Sequence, residues 1–445
     1  MTESLARFPS YPAYKPSNLS WLGDIPAHWE VKRLKNAVQI NSETLPETMN
    51  PDFVLRYIDI SNVDEISGIN PPVEMRFADA PSRARRIVRA GDTIVSTVRT
   101  YLKAIAYFEN PEPNLIVSTG FAVLRPSDEI IPEFLYQLVR SKVFIETVVA
   151  HSVGVGYPAI NPSELSGLKI WLPSKGEQRA IAAFLDRETA RLDTLIAKKE
   201  QLIERLQEKR TALISRAVTK GLDAHARMKD SGVEWLGEAP EHWEVKRLKF
   251  LSTEPLQYGA NEVAEIIDPE LPRFIRITDI NTDGSLRDDT FRSLPQDVAK
   301  PFLLEYGDIL FARSGATVGK SFMYQVAWGR ACYAGYLVRA RLDNALTIPE
   351  FVFYFVNSSA YWNWISSSII QATIQNVSGE KYSNLFVPLP SRLEQKEVVE
   401  YLDRETEKID ALVAKIRDGI ARLREYRGAL IAAAVTGKID VRDPA

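Results

Sequence analysis

Two long stretches of the chain carry apolar side chains at heptad spacing. Between residues 185 and 213, leucines recur at intervals of three, four or seven residues, and a second stretch after residue 402 repeats the pattern. This spacing indicates an amphipathic helix with a coiled-coil seam. The residues predicted to form the seam are Leu185, Leu192, Leu195, Leu206 and Leu213 in the first stretch and Leu402, Ile409, Leu412, Leu423 and Leu430 in the second.

Neither helical stretch contains proline, and each ends near a glycine, Gly221 or Gly437, as helix C-termini often do. The first spans at least residues 185–218, about 50 Å of helix. A helix of this length must bury its apolar stripe. Because the two stretches match in length and register, we expect them to pair as an antiparallel coiled coil. The alternative is that each stripe packs on its own globular domain.

The remaining sequence has a mixed α/β pattern. Short β-rich runs such as FVLRYIDI and DTIVSTV alternate with turn residues, and apolar helical stretches such as EFLYQLVRSKVF lie between them. Each of these two regions has about 150 residues, which is enough for its own core. The predicted fold class is therefore α+β, with an α/β domain followed by a long helix, and this arrangement occurs twice.

The duplication is visible in the sequence itself. Residues 21–35 (WLGDIPAHWEVKRLK) and 235–249 (WLGEAPEHWEVKRLK) are identical at 12 of 15 positions. Residues 176–223 and 393–440, which contain the helical stretches, are identical at 23 of 48 positions. The α/β regions correspond far more loosely, for example at Gly91-Asp92 and Gly307-Asp308. The repeated parts are expected to do one job twice, and the diverged parts to do two different jobs.

Composition narrows the class of protein. The 445 residues carry a formal net charge of −3, so any basic surface must be gathered on one face. One cysteine and four scattered histidines offer no disulfide framework and no zinc-type site. No apolar run reaches the length of a membrane span, and the first residues have no signal-peptide core. We expect a soluble, cytoplasmic, multi-domain protein.

Four motifs suggest catalysis, and none is complete. SGATVGKS at residues 314–321 has serine where a phosphate-binding loop needs glycine, and is better suited to close backbone approach to a phosphate. NPPV at 70–73 lacks the aromatic residue with which adenine methyltransferases stack on a flipped base. EVK at 30–32 and 244–246 lacks an upstream metal-binding carboxylate. His28 and His242, which flank tryptophans in both repeats, are interpreted as packing and hydrogen-bonding residues.

Basic and polar side chains in the diverged regions point to nucleic-acid binding instead. Arginine and lysine hold phosphates and read guanine, and asparagine and glutamine read adenine. Arg89, Arg339 and Arg341 belong to the same charge clusters, although any single one of these side chains could be a solvated surface charge. The predicted DNA-binding residues are Arg83, Arg85, Arg86, Arg99, Lys103 and Tyr157 in the first region and Gln257, Tyr258, Asn261, Arg313, Ser314, Thr317 and Lys320 in the second.

The layout resembles the specificity subunits of Type I restriction–modification systems. The resemblance is carried by the WLGxxPxHWEVKRLK openings, the GDIL strand at 307–310 and the LPSxxEQxxxxxxLDRETxxxD helix starts at 172–193 and 389–410. It covers residues 20–440. It implies an N-terminal extension (1–19), target recognition domains at 20–175 and 227–391, and conserved helical spacers at 176–226 and 392–445.

The resemblance also implies a division of labour. Each recognition domain would read one half of a split double-stranded DNA site, and the helices would set the gap and dock two methyltransferase subunits. S-adenosylmethionine, ATP and Mg²⁺ would be bound by the methyltransferase and motor subunits, and this chain would bind no cofactor and carry no catalytic residue. The alternatives are a coiled-coil protein scaffold and a stand-alone DNA-binding regulator.

Overall fold

Strands and helices follow one another in nearly the same order in both halves of the chain. The computed structural model describes residues 7–64, 68–154, 156, 158–281, 284–369 and 376–442. The strands of the first half are β1 (Tyr14–Pro16), β2 (Asp24–Pro26), β3 (Glu30–Arg33), β4 (Val38–Ile40), β5 (Val54–Ile58), β6 (Val63–Asp64), β7 (Gly68–Ile69), β8 (Val73–Arg76), β9 (Ala84–Ile87), β10 (Thr93–Ser96), β11 (Ile105–Tyr107), β12 (Leu115–Ser118), β13 (Phe121–Pro126) and β14 (Lys169–Leu172). Its helices are α1 (Pro132–Val139), α2 (Lys142–Ala150), α3 (Pro162–Gly167) and the long α4 (Lys175–Lys220).

Among its described residues, the second half repeats this series with fewer strands. Its strands are β15 (Met228–Asp230), β16 (Glu238–Pro240), β17 (Glu244–Arg247), β18 (Gln257–Tyr258), β19 (Arg273–Ile275), β20 (Ile309–Ala312), β21 (Ser321–Met323), β22 (Ala331–Tyr333), β23 (Leu337–Ala340) and β24 (Phe386–Leu389). Its helices are α5 (Gln296–Ala299), α6 (Pro349–Phe355), α7 (Ser359–Ile369), α8 (Gly379–Ser383) and the long α9 (Arg392–Val435).

The chain divides into two compact units whose boundaries fall inside the long helices. Unit 1 is formed by residues 1–199 and 417–445, and unit 2 by residues 200–416. Each unit therefore contains one α/β region, the start of the long helix that follows it in sequence, and the end of the other long helix.

In unit 1 the core strand pairing is antiparallel. The strand order β11-β10-β13-β4 forms one sheet, with Ile94 opposite Val123. A second sheet, β8-β5-β12-β9, contains the parallel pair β5 and β12. β3 pairs with β14 directly before α4, which places the WEVKRLK segment beside the start of the long helix.

Unit 2 uses the same plan. The sheet β18-β23-β20-β21 has the same antiparallel pairing, and the parallel pair β19 and β22 corresponds to β5 and β12. β17 pairs with β24 directly before α9. The low sequence similarity between the two α/β regions thus hides one duplicated scaffold.

Within each unit the two long helices run antiparallel. In unit 1, Asp193 of α4 lies 2.8 Å from Arg427 of α9. Further along α4, the Lys199 ammonium would lie 3.7 Å from a methyl group on Gly419, which comes earlier in α9. The two helices therefore run in opposite directions. In unit 2, the repeat-equivalent Arg210 lies 3.1 Å from Asp410. The predicted antiparallel coiled coil is confirmed.

The helix ends also pack on the α/β regions, so the alternative for the apolar stripe is partly true as well. Leu185 and Leu430 lie in the core of unit 1, and Leu402 lies in the core of unit 2. Ile409 is buried, and Leu192, Leu206, Leu213 and Leu423 are half-buried. Gly437 ends α9 with a φ of +71°, where a Cβ would lie 2.4 Å from the Pro26 ring.

Two of the predicted seam residues are wrong. Leu195 and its repeat equivalent Leu412 are 42% and 44% exposed, whereas their neighbours Ile196 and Val413 are 7% and 6% exposed. One turn of an α-helix is 3.6 residues, so the next position on the same face follows after three or four residues. Here the buried position follows Leu192 and Ile409 by four residues, at Ile196 and Val413, and not by three.

Candidate nucleic-acid interface

The repeated WEVKRLK segments are held against the long helices by a carboxylate in the first turn of each helix. In unit 1 the indole N–H of Trp29 donates to Glu177 Oε1 at 3.0 Å, and His28 Nε2 lies 2.8 Å from Glu177 Oε2. Trp29 is fully buried, so its N–H needs this partner. The pair β3 and β14 is thereby held against the first turn of α4.

Unit 2 repeats the arrangement. The Trp243 N–H donates to Glu394 Oε1 at 2.9 Å, and His242 Nε2 lies 3.0 Å from Glu394 Oε2. The EVK segments lie in strands β3 and β17. Lys32 forms an ion pair with Glu129, and Lys246 forms one with Glu244. These residues therefore connect each α/β region to its long helix by packing and hydrogen bonding.

Glutamine follows glutamate in both helix starts and fixes a second loop. Gln178 Oε1 accepts from the Ile131 N–H at 2.9 Å, and Gln395 Oε1 accepts from the Ile348 N–H at 2.7 Å. Their amide groups donate to the backbone carbonyls of Pro173 and Pro390, both at 3.0 Å. The repeated Glu-Gln pair thus orients each α/β region on the end of a long helix.

A buried ion pair supports the central sheet of each unit. Asp92, which is fully buried, receives two hydrogen bonds from the guanidinium of Arg125, at 3.0 and 2.8 Å. Asp308 receives two from Arg341 at the same distances. Arg125 and Arg89 also bind Glu43 and hold its pKa at about 2, below the ordinary value.

These ion pairs remove several arginines from the predicted basic clusters. Arg341 and Arg89 are held by carboxylates, and Arg339 is 3% exposed and donates to Glu254 and Gln257. Arg339 and Arg341 are therefore structural residues, whereas Arg89 forms an ion pair at the surface.

In each unit a hairpin loop carries two basic side chains. Residues 97–104 connect β10 to β11 and hold Arg99 and Lys103, and residues 313–320 connect β20 to β21 and hold Arg313 and Lys320. The segment SGATVGKS is therefore a strand-to-strand hairpin and lacks the helix that follows a phosphate-binding loop. The structure places these four predicted residues on equivalent hairpin loops, although not at equivalent positions within them.

The two hairpin loops are anchored by the same backbone hydrogen bonds. The Thr97 N–H donates to Gly120 at 2.8 Å, and the Arg313 N–H donates to the equivalent Tyr336 at 3.1 Å. The Thr97 carbonyl accepts from Ile160 and the Arg313 carbonyl from Val377. In unit 2 the buried hydroxyls of Tyr361 and Tyr382 also donate to the hairpin, at Gly319 and Ala312. The two loops thus share backbone anchors and carry different side chains.

Most of the predicted residues of unit 2 gather around Arg313. Its guanidinium carbon lies 4.9 Å from the centre of the Tyr258 ring, a cation–π contact. The Tyr258 hydroxyl accepts from the Gly379 N–H, while Gln257 accepts from Arg339. Asn261 lies against Gly335, where a Cβ added to the glycine would lie 2.0 Å from Asn261 Oδ1. Ser314 forms a β-bridge with Asn376, and Thr317 and Lys320 lie on the hairpin loop.

The predicted residues of unit 1 are less concentrated. Arg83 is exposed, and its carbonyl accepts from Thr119, one residue before the anchor Gly120 of the hairpin loop. Its guanidinium donates to the Tyr57 hydroxyl and to Asp59, and these contacts raise the pKa of Arg83. Arg83 is thus linked to the 97–104 loop through the backbone of Thr119 and Gly120.

Arg85 and Arg86 are packed against the second sheet. Arg85 covers the Phe77 ring at 4.8 Å, and Arg86 donates to Thr44 at 3.3 Å, while partial burial lowers the pKa of Arg86. Tyr157 lies outside the described residues. Exposed side chains that sequence reasoning missed are Leu102 on the hairpin loop and Tyr336 beside it, 44% and 65% exposed; only burial reveals them.

Within the described ranges, no group of three or more His, Cys, Asp or Glu residues is arranged to hold a metal ion. Across the same part of the chain, no helix combines the length and the apolarity needed to cross a membrane.

The fold is a tandem duplication, in which an α/β region followed by a long helix occurs twice. Residues 26–205 and 240–422 match the model of the Type I restriction modification DNA specificity domain. The match covers most of the chain, and the chain belongs to this family.

Named relatives agree with the family match. The chain is 24% identical to the Type I restriction enzyme EcoKI specificity subunit of Escherichia coli K12 over 333 residues, covering 71% of this chain and 68% of that protein. It is 24% identical to the EcoBI specificity subunit of Escherichia coli over 341 residues, covering 74% and 70%. It is therefore a specificity subunit whose function is DNA sequence recognition.

Solved structures share the fold. A chain from a structure of the type I R-M system, solved to explain complex assembly and conformational transition, has a TM-score of 0.74, 24% identity and coverage of 93% and 99%. The HsdS subunit from Thermoanaerobacter tengcongensis has a TM-score of 0.50, 25% identity and coverage of 93% and 98%.

Proposed function

We propose that each α/β region, residues 20–175 and 227–391, is a target recognition domain that reads one half of a split double-stranded DNA site. The observation that supports this most strongly is the pair of hairpin loops. The same backbone hydrogen bonds, at Thr97 and Arg313, anchor the two loops, but the tips of the loops differ in sequence. A duplicated scaffold with different tips is what recognition of two different half-sites requires.

The proposed chemistry is phosphate binding combined with base reading. Arg99 and Lys103 in domain 1, and Arg313 and Lys320 in domain 2, supply cations on the loops. Asn261 and Gln257 are the amide side chains suited to adenine, although Gln257 already accepts a bond from Arg339. Arg85 and Arg86 have a smaller part because their side chains pack against the sheet.

The long helices are proposed to fix the gap between the half-sites and to dock two methyltransferase subunits. Both roles explain why residues 176–223 and 393–440 have remained similar. S-adenosylmethionine would be bound by the methyltransferase subunits, and ATP and Mg²⁺ by a motor and restriction subunit. This chain supplies specificity and no catalytic group. The assembled complex acts on DNA, and we propose that it does so in the cytoplasm.

The recognition residues are tested by mapping adenine methylation in the host. A strain lacking the gene is complemented with wild-type protein or with the variant Arg313→Ala/Lys320→Ala. We expect methylation at the native motif to fall at least tenfold in the variant, because two phosphate or base contacts are lost. The matched control Arg287→Ala removes an exposed arginine of unit 2 outside the loop and should methylate normally. Normal methylation by the loop variant would contradict the assignment.

The gap is tested by lengthening both helices together. Inserting seven residues in α4 and seven at the equivalent position of α9 preserves the heptad phase and adds about 10 Å. That length corresponds to about three base pairs at 3.4 Å each. We expect the half-site sequences to stay the same and the gap between them to grow. An active variant with an unchanged gap would show that the helices do not set the spacing.

A further inference from the structure

The tip of the hairpin loop in domain 1 presents two large apolar side chains to solvent. Tyr101 is 52% exposed and Leu102 is 44% exposed, whereas the adjacent Thr100 and Ala104 are 4% and 0% exposed. The loop therefore folds inward at its base and outward at its tip. Exposing a tyrosine and a leucine side by side gives no folding benefit, which suggests that they contact something outside the chain.

The backbone holds this tip in a costly conformation. Arg99 and Lys103, directly before and after the turn Thr100–Leu102, have φ values of +51° and +52°, a left-handed region that non-glycine residues rarely adopt. The Leu102 N–H donates to Arg99 at 2.8 Å, and Thr100 Oγ1 lies 3.0 Å from Ser152 Oγ. Strain of this kind persists where the surrounding structure enforces it, typically at ligand-binding sites.

The equivalent loop of domain 2 shows that the scaffold does not require an apolar tip. Its turn is Gly315–Thr317, of the same helical type as Thr100–Leu102, and Gly315 adopts its φ of +78° without strain. Its tip residues Ala316 and Thr317 are small. The equivalent loops thus carry two bulky side chains at the tip in domain 1 and two small side chains in domain 2.

We propose that Tyr101 and Leu102 form a wedge that inserts between two adjacent base pairs of the half-site read by domain 1 and unstacks them. This inference rests on the proposed function and assigns a mechanism to one of its two sites. Apolar side chains inserted at a base step kink the duplex and widen the protein contact. Arg99 and Lys103, on either side of the wedge, are positioned to bind the phosphates that flank the opened step.

The wedge makes sequence recognition different in the two half-sites. Opening a base step costs least at flexible pyrimidine–purine steps, so domain 1 gains discrimination from deformability at positions it does not hydrogen-bond. Domain 2, whose tip can approach closely without inserting, reads an undistorted duplex. The two loops therefore use different physical means on one scaffold.

The test uses the specificity subunit assembled with its methyltransferase subunits on a duplex carrying the native motif. 2-Aminopurine, which fluoresces when unstacked, replaces one base at a time in both half-sites, at positions other than the methylated adenines. We expect fluorescence to rise several-fold at one step of the domain 1 half-site and at no step of the other. The variant Tyr101→Ala/Leu102→Ala should abolish that rise and weaken binding about tenfold.

Two further variants make the result specific. Tyr101→Phe keeps the ring and should retain the fluorescence rise. Arg287→Ala, the control outside both hairpin loops, should leave the domain 1 signal unchanged. If no step unstacks, or if the double variant keeps the wild-type signal, the wedge is refuted.

The remaining outcomes separate this inference from the proposed function. Loss of methyltransferase from the purified double variant would identify the tip as a subunit contact and overturn the wedge. A wild-type complex that prefers its motif over random DNA but shows no unstacking refutes the wedge alone. A complex without preference for the motif refutes the proposed function itself.

Discussion

Removing the carboxylate of Glu177 tests how the α/β region of unit 1 is fastened to the long helix. In Glu177→Ala, the indole N–H of the buried Trp29 loses its acceptor, and water cannot readily replace it because the Glu177 side chain is only 3% exposed. An unsatisfied buried donor costs about 1–3 kcal/mol, and the bond to His28 adds to this. We expect a local destabilisation of about 2–3 kcal/mol.

The second repeat supplies the matched comparison. Glu394 makes the same two contacts, but its side chain is 25% exposed, so water can take part of its place in Glu394→Ala. We expect about 1 kcal/mol there. Glu177→Gln keeps an acceptor for Trp29 and should cost less than Glu177→Ala.

Hydrogen exchange measured by mass spectrometry resolves the two units in the intact protein. A loss of 2–3 kcal/mol speeds exchange about 30- to 150-fold, since 1.4 kcal/mol corresponds to a factor of ten. Peptides covering 26–34 and 175–190 should show this in Glu177→Ala, and peptides covering 240–248 and 392–407 should respond only in Glu394→Ala. Equal exchange rates in Glu177→Ala and the wild type, or a larger effect at Glu394, would refute the reasoning.

Three further predictions follow from buried and paired groups. Arg125→Met leaves the buried Asp92 carboxylate unpaired and should destabilise unit 1 by about 3–5 kcal/mol in urea unfolding, whereas adding Asp92→Asn should recover much of the loss; a mild single variant would contradict this. Burial raises the pKa of the Cys332 thiol to about 12, so a thiol reagent at pH 8 should react with the native protein only as fast as unit 2 opens, and immediate reaction would show that Cys332 is accessible. Because Arg89 and Arg125 lower the pKa of Glu43 from 4.5 to about 2, the stabilisation is present above pH 4.5 and is lost as the pH falls towards 2; Glu43→Gln should match the wild type below pH 2 and be less stable above pH 4.5, and a constant difference would contradict the ion pair.

The sequence predicted the architecture because its signals were periodic or repeated. The heptad pattern identified α4 and α9, and Gly221 and Gly437 marked their ends. It misplaced Leu195 and Leu412 because spacings of three and four residues both fit one helical turn, and the buried positions Ile196 and Val413 use the spacing of four. The partner of Trp29 could not be read from sequence, since Glu177 is 148 residues away.

The candidate interface was only partly accessible to sequence reasoning. Charge identified Arg99, Lys103, Arg313 and Lys320, but it identified Arg89, Arg339 and Arg341 equally well. The charge pattern does not show that strand pairing brings carboxylates from distant positions beside Arg89, Arg339 and Arg341. The exposed tip at Tyr101 and Leu102 likewise depends on backbone conformation, because the same residues could have filled a core.

The most direct test of the central claim is a map of adenine methylation in the host with and without this gene. If the chain is the specificity subunit, deleting the gene removes methylation from one motif made of two half-sites separated by a fixed gap, and complementation restores it. Exchanging residues 20–175 for the corresponding domain of a relative should then change one half-site and keep the other. A motif that survives the deletion in full would contradict the account.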